Sequence, residues 1–233
     1  MKNFSNTYIF IFASVMVIVV ALLLSMAALQ LKPFQDKNIE IEKKQNILAS
    51  INIASTPEDA QALYNKYITK TFVINNKGEL VKDVDAFNVD LKTELTKPRD
   101  KRNLPIFEST LDNGDHAFIV PLRGKGLWGP IWGYISFFKD LNTVKGAYFD
   151  HQGETPGLGA EIKEPWFQKN FDNKTIFDST KFVSIEVVKG GAQPGNPHQV
   201  DAVSGGTITS KGLQAMLDTC LIEYKTYFLK NRQ

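Results

Sequence analysis

The segment Asp201-Ala202-Val203-Ser204-Gly205-Gly206-Thr207-Ile208-Thr209-Ser210 gathers hydroxyl side chains around two adjacent glycines, just ahead of a helical pattern. A hydroxyl in that place suits phosphate chemistry. Glycine lets the backbone come close to a bulky group and adopt positive φ without a Cβ clash. A helix beginning near Ser210, with Ser210 as its N-cap, aims unpaired N–H groups and the positive end of its dipole at an anion on Thr207. Lys211 is placed to meet the same anion, or is a plain surface lysine of the first turn. The segment also reads as an ordinary turn before a capped helix, so taken alone it leaves both readings open.

Two more glycine-bearing segments mix polar and apolar side chains. In His151-Gln152-Gly153-Glu154-Thr155-Pro156-Gly157-Leu158-Gly159-Ala160-Glu161, proline fixes φ and the glycines take reversed dihedrals, which accounts for a tight turn. The loop also sets Glu154 and Thr155 beside Leu158. That mixture suits a ligand rim, apolar enough for a ring system and polar enough to orient it. The second segment, Arg123-Gly124-Lys125-Gly126-Leu127-Trp128-Gly129-Pro130, is a glycine-rich loop in which Trp128 suits core or membrane-interface packing.

Other chemistries find little support. None of His116, His151 and His198 has a triad-like setting, and the nucleophile-elbow pattern is absent around Ser204. No G-x-G-x-x-G is read after a strand and no P-loop is present, so no NADH site is expected on this chain. One cysteine and three histidines are too few for a structural zinc or iron–sulfur centre, and no metal is expected. A net charge of +2 offers no basic stripe for nucleic acid. The single cysteine, Cys220, forbids an internal disulfide and leaves the compartment open.

The elements that must carry these loops follow from local patterns. Ser55 or Thr56 can cap a helix that runs to about Tyr67, with Pro57 in its first turn and Glu58 and Asp59 favouring its dipole. Residues 71–74 read as a strand followed by an Asn75-Asn76-Lys77-Gly78 turn. Residues 85–103 are charged and aperiodic, which suggests an exposed insertion. Strands are expected at 117–122, 131–138, 144–149 and 181–188, a short helix at 165–170 and a loop at 190–198. Leu213, Met216, Leu217, Cys220, Leu221, Tyr224 and Phe228 recur at helical spacing, so a long amphipathic helix packs on the sheet with Cys220 as an inert core thiol. The class is α+β with an antiparallel-rich sheet.

Residues 8–31 carry no charge. At about 1.5 Å per residue such a run crosses a hydrocarbon core of about 30 Å. We read residues 1–7 as a short tail, 8–31 as a transmembrane helix, 32–54 as a polar stalk and 55–233 as the soluble domain. A cleaved signal peptide is the competing reading, with Ser25-Met26-Ala27 imitating its cleavage site. Lys32, Lys37, Lys43 and Lys44 outnumber Lys2, so the positive-inside count places the domain in the cytoplasm.

Jointly, the three loops resemble the FMN-binding domain family, in the form found in the C subunits of sodium-translocating NADH:quinone oxidoreductases and shared with the G subunits of Rnf-type complexes. Gly126-Leu127-Trp128-Gly129-Pro130-Ile131-Trp132-Gly133-Tyr134 is similar to the family's glycine and tryptophan loop, Glu154-Thr155-Pro156-Gly157-Leu158-Gly159 to its second loop, and residues 204–210 to its flavinylation motif. The resemblance covers nearly the whole chain and implies FMN held by a phosphoester to Thr207, with Thr209 as the rival acceptor. Gly206 stands where the family usually has alanine. Among the flavin's neighbours the resemblance implies Ser204, Gly205, Gly206, Thr209, Ser210, Lys211, Glu154, Thr155, Leu158, Gly159 and Trp128, with Leu158 and Trp128 against the ring and Glu154 and Thr155 bonding its edge or the ribityl hydroxyls. It further implies one-electron transfer within a multisubunit complex of the inner membrane that oxidises NADH, reduces ubiquinone or a related quinone and exports sodium. Maturation by a flavin transferase and a domain outside the cytoplasm, against the lysine count, belong to the same expectation. The alternatives are the G subunit of an Rnf-type complex and a membrane-anchored assembly or binding module without redox chemistry.

Overall fold

In a computed structural model of the chain, residues 5–232 are described, so the first four residues of the expected tail lie outside the described residues. The chain divides into two compact units, Met1–Lys43 and Lys44–Gln233. Helix α1, Asn6–Ser50, runs through Pro33, and its apolar stretch is long enough to cross a membrane and is exposed throughout. The second unit starts inside the segment read as a stalk: Ile47, Leu48 and Ile51 are buried in its core.

The second unit is built on one six-stranded antiparallel sheet. Its strands are β1 (Ile68–Ile74), β2 (Leu80–Val81), β3 (Leu104–Thr110), β4 (His116–Lys125), β5 (Pro130–Phe138) and β6 (Val144–His151), in the order β2-β1-β3-β4-β5-β6. The period of two along each strand sorts side chains between two cores. Ile106, Val120 and Ile135 face one, which is closed by the C-terminal helix α5, Thr207–Asn231, through Leu213, Leu217, Leu221 and Phe228. Phe107, Ile119 and Tyr134 face the other, where Ile47, Leu48 and Ile51 pack with Tyr67 at the end of helix α2, Ala60–Tyr67. A helix layer on an antiparallel sheet is the α+β arrangement expected.

Several local readings change. The central strand β3 does not stand out in the sequence, because Pro105 sits inside it and prolines normally avoid sheet interiors. Residues 85–103 are not a wholly exposed insertion. One-turn helix α3, Leu91–Glu94, and the 3₁₀ turn Ala86–Asn88 bury Ala86, Leu91 and Glu94. Glu94 accepts hydrogen bonds from Lys97 Nζ at 2.7 Å and Asn103 N at 2.9 Å. A short helix follows as expected, α4, Pro165–Gln168. The single strand expected over 181–188 is two. Two-residue strands β7, Phe177–Asp178, and β8, Lys181–Phe182, pair antiparallel, whereas β9, Glu186–Val188, pairs in parallel with β10, Gln199–Asp201. Ser184 between β8 and β9, at φ 63°, breaks the run.

The loop 123–130 is also shorter than its composition implies, since β4 extends to Lys125 and β5 opens at Pro130. The reading that no G-x-G-x-x-G follows a strand is corrected: Gly124-Lys125-Gly126-Leu127-Trp128-Gly129 has that spacing at the end of β4, but it closes a hairpin through Gly126 N–H to Gly129 O at 2.8 Å, with no helix behind it.

Candidate functional site

The three loops singled out by composition converge on one carboxylate. Glu154, just after β6, is 5% exposed. Its Oε1 accepts from Trp128 N at 2.8 Å, in the β4–β5 hairpin, and its Oε2 from Thr209 Oγ1 at 2.5 Å, in the first turn of α5. The backbone N–H of Glu154 donates to His151 Nδ1 at 3.1 Å, which leaves the ring proton of a neutral His151 on Nε2.

Glycines admit this carboxylate. A Cβ on Gly126 would lie 2.4 Å from Glu154 Oε1, and one on Gly159 would lie 2.4 Å from Oε2 and 2.3 Å from Thr209 Oγ1. Gly205 has φ +75°, and a Cβ there would meet Leu158 Cδ2 at 2.5 Å, so Leu158 lies directly on the loop before α5. Glu154 thus ties the three loops together, with one hydrogen bond to each carboxylate oxygen.

Helix α5 begins four residues earlier than an N-cap at Ser210 implies. Gly206 is its N-cap and offers no side chain, while Ser210 lies inside the first turn, buried. The Ser210 hydroxyl accepts from Val203 N at 3.2 Å, folding the preceding loop back onto the helix. The early start arises because a glycine N-cap needs only the backbone conformation, here φ −94° and ψ 36°. The N–H groups of Thr207, Ile208 and Thr209 find no acceptor among the described residues. Thr207 is half-buried and its hydroxyl has no hydrogen-bond partner among the described residues, whereas Thr209 is 1% exposed and its hydroxyl is held by Glu154.

The remaining predicted residues divide into exposed and packed groups. Ser204, Thr155 and Lys211 are exposed, as is Trp128 at 68%, which excludes core packing for that indole. Leu158 is 41% exposed despite covering Gly205. Exposed Leu127 and Ile208 adjoin Trp128 and Thr207 in sequence and were not foreseen as part of the site. The other histidines have partners that the sequence did not reveal: His116 Nδ1 lies 3.4 Å from Thr110 Oγ1, and His198 Nδ1 lies 2.8 Å from the Thr175 carbonyl oxygen. Cys220 is buried, and burial pushes its thiol up to about 11.

Gly212 and Gly124 are further residues that composition did not single out. Gly212 sits in α5 where a Cβ would come within 2.2 Å of the Lys125 carbonyl oxygen, and a Cβ on Gly124 would come within 2.6 Å of Met216 Cβ. These contacts hold the helix start against the hairpin that carries Trp128. A glycine inside a helical pattern was the available signal, since it gives up about 0.5–1 kcal/mol of helix stability without a local reason.

Residues 126–222 match the model of the FMN-binding domain family, a span that contains all three loops. The C subunit of the Na(+)-translocating NADH-quinone reductase from Vibrio parahaemolyticus is 32% identical over 221 residues, covering 86% of this chain and 85% of that protein. Its counterpart from Vibrio anguillarum is 35% identical over 220 residues, covering 86% and 84%. The chain belongs to the family of Na(+)-translocating NADH-quinone reductase C subunits. The fold agrees. The crystal structure of the same reductase component from Parabacteroides distasonis superposes with a TM-score of 0.79 at 44% identity, covering 85% of this chain and 96% of that one. NqrC of Shewanella oneidensis gives 0.69 at 28% identity, covering 82% and 96%.

The residues present fit a flavin mononucleotide. Free N–H groups at the start of α5 suit a phosphate, and Lys211 stands one turn along the same helix. Exposed Trp128 and Leu158, on loops tied to that helix start, supply apolar surface suited to a ring.

Proposed function

We propose that this chain is the flavin-bearing C subunit of a sodium-translocating NADH:quinone oxidoreductase, carrying FMN as a phosphoester on Thr207. The observation that carries the acceptor assignment is the contrast between two threonines on one helical turn. Thr207 offers a partner-free, half-buried hydroxyl at the helix start, while Thr209 is buried with its hydroxyl donated to Glu154. A buried, committed hydroxyl cannot meet a second protein's active site.

Thr207 Oγ1 attacks the flavin-side phosphorus of a flavin dinucleotide held by a flavin transferase. The P–O bond of the pyrophosphate breaks, the nucleoside monophosphate leaves with its electron pair, and the hydroxyl proton passes to a base of the transferase. The N–H groups of Thr207, Ile208 and Thr209 then face the phosphate charge, and Lys211 balances it. FMN so bound supplies one-electron transfer. Leu158 and Trp128 would flank the ring, and Ser204, Gly205 and Gly206 form the attachment loop. A covalent tie keeps the cofactor from being lost outside the cytoplasm.

Residues 8–31 anchor the chain once in a bacterial inner membrane, with residues 55–233 on the periplasmic side. NADH oxidation, quinone reduction and sodium export belong to the assembled complex, in which the other subunits supply the electron donor and acceptor. The similarity to NADH-quinone reductase components supports this assignment over a place in an Rnf-type complex. Peptide mass analysis of protein coexpressed with a flavin transferase tests the attachment: the flavin phosphate adduct is expected on the peptide holding Thr207 and is expected to vanish in Thr207→Ala. Flavin retained by that variant sinks the assignment. A reporter fused after Gln233 that is active only in the cytoplasm would refute the topology.

A further inference from the structure

We infer that Glu154 is a positioning residue for modification of Thr207, acting through Thr209; this rests on the attachment reading above. Residues two apart on an α-helix lie about 200° apart around its axis. Drawing Thr209 inward therefore turns Thr207 outward. The 2.5 Å bond from Thr209 Oγ1 to Glu154 Oε2 fixes that rotation, and the bond from Trp128 N to Oε1 fixes the carboxylate against the neighbouring hairpin. The loop supplying Glu154 also rests Leu158 on Gly205. One buried carboxylate thus orients the acceptor turn, the attachment loop and the tryptophan hairpin together.

The alternative role of a base for the Thr207 hydroxyl does not suit Glu154. Its carboxylate is 5% exposed, and each oxygen already accepts a hydrogen bond from another residue. A bond from a hydroxyl to a carboxylate is also stronger than one between neutral groups, which suits a fixed post. A Cβ on Gly126 would lie 2.4 Å from Oε1 and one on Gly159 2.4 Å from Oε2, so this placement of the carboxylate requires glycine at both positions.

The test measures flavinylation of the full chain by purified flavin transferase and flavin dinucleotide. It uses Thr209→Val, Thr209→Ser, Glu154→Ala and the double variant Glu154→Ala/Thr209→Val. Thr209→Val removes the donor at nearly constant volume and is expected to slow transfer about tenfold at saturating transferase, the scale of one lost hydrogen bond to a charged group. Thr209→Ser restores the donor and is expected to recover the rate. The double variant is expected to be no slower than Glu154→Ala alone, because the two substitutions remove the same contact. Hydrogen exchange at Ser210, whose N–H bonds the Gly206 carbonyl oxygen, and at the residues that follow it in α5 is expected to quicken in Thr209→Val without a change in the sheet. Thr209→Val modified at the native rate, or single effects that multiply, overturns the inference while leaving the attachment reading intact. Flavin retained by Thr207→Ala overturns both.

Discussion

The Cα of Gly212, one turn into the C-terminal helix, faces the carbonyl oxygen of Lys125 so closely that a Cβ would lie 2.2 Å from it. Helix and hairpin therefore meet backbone to backbone, and the contact sets how far the start of α5 stands from the loop bearing Trp128.

Gly212→Ala is expected to destabilise the fold. Overpacking costs roughly 1–3 kcal/mol. The upper end is expected because a carbonyl oxygen in a strand cannot rotate away as a side chain can. That exceeds the ~1 kcal/mol which alanine otherwise gains over glycine in a helix. Gly153→Ala, where nothing lies within 4 Å, serves as the control and is expected within about 0.5 kcal/mol of the native chain. Urea unfolding of both variants checks this, and equal midpoints would refute the backbone contact.

Gly206→Ala is expected to be tolerated. The added methyl would lie 3.1 Å from Val203 Cγ1 and 3.3 Å from Gly159 N, a tight fit relieved by a small shift of Val203. Alanine is a poorer N-cap than glycine, so a loss of about 0.5–1 kcal/mol is expected. Flavin content in coexpressed protein is expected to stay the same. A large fall would mean that this glycine is required for transfer.

Cys220 is expected to resist alkylation in the folded chain at pH 8 and to react fully in denaturant. Its thiol is buried on α5, and burial raises it from 9.0 to about 11. The neutral thiol is thus favoured by folding, so the contribution to stability is complete below pH 9 and is lost as pH climbs towards 11. The native chain is therefore expected to lose more thermal stability across that window than Cys220→Ala. Parallel melting curves for the two proteins would remove the argument.

Much of this molecule is written locally. The uncharged run at 8–31 shows as a helix long and apolar enough to cross a membrane, the alternating strands 117–122, 131–138 and 144–149 each fall within an observed strand, and the spacing from Leu213 to Phe228 marks one buried helical face. The three glycine loops also stand out, because glycine, proline and hydroxyl clusters interrupt periodic segments. Strand β3 does not, since Pro105 contradicts the usual strand rule and is accommodated only by its neighbours.

What tertiary structure alone decided is which hydroxyl is free. The resemblance points to Thr207, but with the helix expected to begin near Ser210 the sequence leaves the orientation of both threonines open. Glu154 decides it from 55 residues away by accepting the Thr209 hydrogen bond while itself buried. The sequence determines which segments turn, pair and coil, because those choices depend on neighbours within a few residues. Burial and hydrogen-bond partnership depend on what the fold brings alongside, so the roles of Glu154, Thr209 and Gly212 emerge only when β4, β6 and α5 are packed together.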